Sequence, residues 1–75
     1  MREWLASIRN TKGFTQKQVG DICGISRSFY ADIERGSRNP KVDTAKDIGN
    51  ALGFDWTLFF EKNGRKTSQV KAKIA

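Results

Sequence analysis

The stretch TQKQVGDICGISRSFYADIERG, Thr15 to Gly36, decides the fold. It opens with two helix-start signals together. Thr15 can cap a helix while Gln18 reaches back to it, the T-x-x-Q form of the capping box, and Phe14 and Val19 have the spacing of a hydrophobic staple. The pattern predicts a helix from about Gln16 to Cys23 that buries Val19, Ile22 and Cys23. Gly24 can adopt the left-handed conformation that stops it. Ser26 is a good cap for the next helix, about Arg27 to Arg35, with Tyr30 and Ile33 inward. Only Gly24, Ile25 and Ser26 separate the two.

Outward from this stretch the chain reads as helix throughout. Trp4, Leu5 and Ile8 form an apolar stripe on a first helix of about Arg2 to Asn10, ended by Gly13. Asn39 and Pro40 mark a loop. Asp43 is the expected cap of a fourth helix with Ala45, Ile48 and Leu52 inward, closed by Gly53. DWTLFF, after a cap at Asp55, reads as a short fifth helix whose Trp56, Phe59 and Phe60 cover the core. Trp4, Trp56, Phe59 and Phe60 serve either as core or as a dimer surface. Two parts are expected: residues 1–61 as the folded domain and residues 62–75 as a basic, flexible tail.

Composition narrows the function. Seventy-five residues allow one domain with a modest core. A single cysteine, Cys23, excludes an internal disulfide, and with no histidine no ordinary metal site is expected; Cys23 reads as a small core residue. No cofactor is expected, and no clustered carboxylate pair or phosphate-cradling glycine loop suggests an enzyme. With no apolar run of membrane length and no signal peptide, the expectation is a soluble cytoplasmic protein without a membrane partner. The net charge of +6 is unevenly placed. Residues 1–60 hold nine Lys/Arg against seven Asp/Glu, whereas 61–75 hold five Lys/Arg against Glu61 alone. The excess describes the tail better than the fold, so bulk charge is weak support for a polyanion partner.

Helix, three-residue turn with glycine, helix is the geometry of a helix-turn-helix unit. Gly20, the fifth position counting from Gln16, is small enough for the later helix to cross close by. TQKQVGDICGISRSFYADIERGSRNP, with the first helix and its Arg9 and the ALGFDWTLFF segment, resembles the phage-repressor and Cro-like (XRE-type) helix-turn-helix family over about Arg2 to Phe60. The resemblance implies an all-α, compact five-helix bundle, a lambda-repressor-like domain that binds double-stranded DNA, commonly as a homodimer on a near-palindromic operator. Two positions depart from the family pattern. Tyr30 stands where an aliphatic residue is more usual, and Gly20 where alanine is, at about 1 kcal/mol of helix propensity.

Carried over position by position, Arg27, Ser28 and Asp32 match the family's base-reading sites in the major groove. Arg27 can grip guanine O6 and N7 together, and Asp32 can accept from cytosine N4 or orient Arg27. Ala31 or Phe29 can touch a thymine methyl. As bare surface chemistry, Ser28 with Asp32 and Asp32 with Arg35 are also ordinary helical pairs. Thr15 and Gln16 sit at a helix N-terminus suited to a phosphate, and the family uses the Gln16 position to contact the DNA backbone and brace the reading helix. Arg35, Ser37, Arg38, Asn39 and Lys41 crowd the loop where the family makes further phosphate contacts. The family also pairs Arg9 with Glu34. The expected function is a sequence-specific transcriptional regulator acting as a repressor. The alternatives are an antitoxin whose tail binds a protein partner, and an interaction module that no longer reads DNA.

Overall fold

In the computed structural model, which describes residues 1–61, four α-helices and a terminal 3-10 helix wrap one core. They are α1 (Glu3–Lys12), α2 (Gln16–Cys23), α3 (Arg27–Arg35), α4 (Val42–Leu52) and the 3-10 helix Trp56–Phe60. No strand occurs among the described residues. The expected count of five is reached only if the 3-10 helix is counted with the α-helices. The expected tail, 62–75, lies outside the described residues.

The α2–turn–α3 unit forms as its sequence dictates. Thr15 Oγ1 accepts from the Gln18 amide at 3.1 Å, and Gln18 Oε1 accepts from the Thr15 amide at 2.8 Å. Gly24 ends α2 at φ 72°, and the Ile25 amide folds back onto the Gly20 carbonyl at 2.9 Å. Gly20 is buried because α3 begins directly over it: a Cβ there would lie 2.8 Å from the Ile25 carbonyl oxygen. Ser26 Oγ then accepts from the Phe29 amide at 3.0 Å, which starts α3.

Leu5, Val19, Tyr30, Ile33, Ala45, Ile48 and Leu52 are fully buried, so every helix contributes to the core. Trp4, Phe54 and Phe59 close one end with edge-on ring contacts at 5.3 to 5.6 Å. Three local expectations need correction. Ile22 is 55% exposed, because Gln16, Val19, Gly20 and Cys23 define the inner face of α2 and helical rotation of about 100° per residue carries Ile22 off it. Phe60 is 47% exposed, because a 3-10 turn aligns Trp56 with Phe59 and turns the next residue away. Asp43 does not cap α4. The chain leaves the buried Pro40 extended, Lys41 takes the cap position without a side-chain bond, and Asp43 lies inside the first turn. There its charge still complements the helix dipole.

Candidate nucleic-acid interface

The spacing of α3 separates two faces. Tyr30, Ile33 and Glu34 are buried, whereas Arg27, Ser28 and Arg35 are exposed and Ala31 and Asp32 half-buried. The caps at Ser26 and Gly36 fix both ends of the helix, so the outer face is presented rigidly.

Glu34 anchors the inner edge. Arg9 Nε donates to Glu34 Oε2 at 2.6 Å, Arg9 Nη2 to Oε1 at 3.3 Å, and Gln16 Nε2 to Oε1 at 3.1 Å. Arg9 Nη1 also donates to the Phe14 carbonyl at 2.9 Å, so one ion pair ties α1, the start of α2 and α3 together. Burial pushes the Glu34 carboxyl up, but the hydrogen bond from Arg9, further hydrogen bonds including that from Gln16, and the charge of Arg9 outweigh it, and the net direction is down. The bond to Glu34 correspondingly raises Arg9. The Tyr30 hydroxyl lies beside this pair, fully buried and without a hydrogen-bond partner among the described residues. Burial first, then Glu34, pushes its phenol far above the usual range.

Two groups of expected site residues are thereby assembled. Thr15, Gln16 and Arg27 line an open depression of about 550 Å³ together with Arg9, Asn10, Gly13, Phe14 and Lys17. Its mouth carries the positive end of α2, the amide-rich N-terminus and three cationic side chains, of which Arg9 is paired with Glu34 and Lys17 with Asp21. Arg27 is exposed and has no hydrogen-bond or ion-pair partner among the described residues. Ser28 stands exposed beside it.

The second group gathers at the C-terminus of α3. The Asp32 carboxylate accepts from Arg35 and, at 3.3 Å, from Arg38 Nε. Asp32 forms no bond with Arg27 among the described residues, and its partners are Arg35 in the last turn of α3 and Arg38 in the loop. Its backbone carbonyl accepts from the amides of Gly36, Ser37 and Arg38 and from Ser37 Oγ, which folds the loop over the helix end. Arg38 lies across the Phe29 ring at 5.5 Å. Asn39 belongs to the same loop, and Lys41 is exposed at the start of α4.

One residue escaped the sequence pattern. Arg2 precedes α1, yet its side chain reaches Ile33, Arg38 and Asn39. Partners separated by 31 to 37 positions leave no local periodicity, so no signal in the sequence marks it. Among the described residues no group of His, Cys, Asp or Glu is arranged to hold a metal ion, and no helix is long and apolar enough to cross a membrane.

Comparison with known proteins agrees with this geometry. A family model described as helix-turn-helix matches residues 5–59. The chain is 52% identical over 61 residues to the uncharacterized HTH-type transcriptional regulator YqaF of Bacillus subtilis, covering 81% of this chain and 80% of that one. It is 32% identical to the immunity repressor protein of Bacillus phage phi105, over 95% of this chain and 54% of the repressor, so it spans about half that protein's length. It is 28% identical to the control protein C.SmaI of Serratia marcescens, over 92% of this chain and 82% of that one.

Proposed function

The chain belongs to the XRE-type helix-turn-helix family of DNA-binding transcriptional regulators, and from that premise we propose that it is a sequence-specific repressor reading the major groove with α3. The observation that carries this reading is the outer face of α3. Arg27 and Ser28 are exposed there and have no side-chain partner among the described residues, while the acidic Glu34 of the same helix is drawn inward by Arg9 and Gln16. With Glu34 drawn inward and the charge of Asp32 shared with Arg35 and Arg38, Arg27 and Ser28 offer hydrogen-bond donors to base edges.

Arg27 is assigned the bidentate contact to guanine, and Ser28 a neighbouring base. Asp32 faces the same groove; each carboxylate oxygen has lone pairs beyond those shared with Arg35 and Arg38, which suit a cytosine amino group. Thr15 and Gln16 place the N-terminus of α2 on one phosphate, and Arg35, Ser37, Arg38, Asn39 and Lys41 hold the strand at the other end of α3. One Gln16 N–H braces Glu34, and the second has no partner among the described residues and can serve this contact. A homodimer would set two copies of α3 about 34 Å apart on a near-palindromic operator, and occupancy would block polymerase. The phage immunity repressor among the similar proteins supports this sign of regulation.

Selection of binding sites from random duplexes tests the proposal. Wild type should return a consensus at moderate salt. Arg27→Ala should relax one base pair per half-site, at about 1–3 kcal/mol of discrimination, and Arg38→Ala should weaken all sites alike and reduce the salt slope by about one. Absence of any consensus for wild type would exclude the specific-repressor reading.

A further inference from the structure

Arg2 lies outside every helix, yet it is tied to the far end of the reading helix by both its backbone and its side chain. Its amide donates to the Glu34 carbonyl at 2.7 Å. Its Nη1 donates to the Ile33 carbonyl and, at 3.1 Å, to the Arg38 carbonyl, and its Nη2 donates to Asn39 Oδ1 at 2.6 Å. The guanidinium also lies over the Phe59 ring at 5.5 Å, which fixes its plane against the core. These partners span the last turn of α3 and the loop that follows it.

That loop needs an external support. Gly36 leaves α3 at φ 90°, and Ser37, Arg38 and Asn39 are all exposed. On the helix side they hang from the Asp32 carbonyl and carboxylate. On the other side the anchors are the two hydrogen bonds from the Arg2 fork and the buried Pro40. A planar fork that bonds two loop acceptors and one helix carbonyl fixes orientation as well as position, which an ammonium cannot reproduce.

We propose that Arg2 is a positioning residue for DNA binding: it holds the 36–39 loop against the end of α3 so that Arg38 and its neighbours meet the DNA backbone in register. Arg2 itself touches no phosphate in this scheme; both Nη1 donors and one from Nη2 are engaged by the protein. The inference rests on the DNA-reading function proposed above and adds to it a dependence on a residue remote in sequence.

The test uses Arg2→Gln and Arg2→Lys in the 75-residue chain, alone and combined with Arg38→Ala. Each is titrated on a selected duplex and an unrelated duplex, at a temperature where circular dichroism shows it folded. Both single variants should lose about tenfold on both duplexes, with unchanged base preference. The salt slope should fall by about one, although Arg2→Lys removes no charge. In the Arg38→Ala background the further loss from Arg2→Gln should shrink below about twofold, since the contact it organises is already gone. Should Arg2→Gln fail to fold, Arg2→Lys, which preserves the backbone bond to Glu34 and the charge, carries the test alone.

Three results overturn the proposal: Arg2→Lys binding like wild type, multiplicative losses from Arg2→Gln and Arg38→Ala, or a lowered melting temperature with unaltered affinity of the folded protein. A wild type that binds no duplex sinks the DNA-reading function together with this inference. A wild type that selects a consensus, with Arg2 variants that match it, sinks this inference alone.

Discussion

Glu34 shows how one side chain serves both the core and the interface. Its carboxylate is nearly inaccessible and bonded to Arg9 and Gln16. Its folded pKa lies below the ordinary value, so the pair adds stability above the unfolded pKa of about 4.3 and loses it as pH falls through the folded value. Glu34→Gln should therefore cost about 3 kcal/mol at neutral pH, by leaving Arg9 largely buried beside an uncharged partner. The gap between variant and wild type should narrow below about pH 4. Urea denaturation at pH 7 and pH 3 measures both, and a gap that does not change with pH would contradict the assigned charge state. At this scale the sequence reveals side chains whose roles are set locally. The helical spacing that puts Arg27 and Ser28 outward and Tyr30 and Ile33 inward is visible in the chain. The fork of Arg2 is not, because its acceptors are mostly backbone carbonyls on a distant helix end and carry no residue signature.

Among the elements, α2, the turn and α3 were the most legible, since their caps are chemical instructions only a few residues long. Thr15 with Gln18, Gly24 and Ser26 each perform the expected backbone task, and both helices have the expected bounds. Gly24→Ala should cost about 1 kcal/mol through left-handed strain alone, because a Cβ there meets nothing within 4 Å. Ser26→Ala should cost a similar amount, about 1 kcal/mol, by leaving the Phe29 amide without its acceptor. Thermal melts check both. Neither change should alter the bases selected, because neither side chain belongs to the outer face of α3. Legibility fell where a second interaction competed with a short motif. Asp43 resembles a cap in isolation, but Pro40 packs into the core and starts α4 earlier. The apolar run ending in Phe60 does not disclose whether its turns are α or 3-10, and the aligned faces differ between the two.

For the molecule as a whole, the all-helical architecture and the identity of the core followed from periodicity, while the relations between remote segments emerged only in three dimensions. Charge is the property best argued at this scale. Most of the +6 belongs to residues 61–75, whereas the outer face of α3 is made of a few placed side chains. Replacing Lys62, Arg65, Lys66, Lys71 and Lys73 with glutamine in the full chain should lower affinity for every duplex and flatten its salt dependence. The selected consensus should stay the same. Titrations at two salt concentrations would show this, and a changed consensus would mean that these residues contribute to base choice.

The separation of faces on α3 also bears on how such a protein diversifies. The helix is held by Tyr30, Ile33 and Glu34, while Arg27, Ser28 and Ala31 do little of that holding. On the proposed reading, positions 27, 28 and 31 can therefore be rewritten like an address on a fixed envelope, so that one scaffold would serve different operators. Position 32 is the exception. Asp32 folds the following loop as well as facing outward, so on the proposed reading a change there would alter the grip on the DNA backbone along with the letter read.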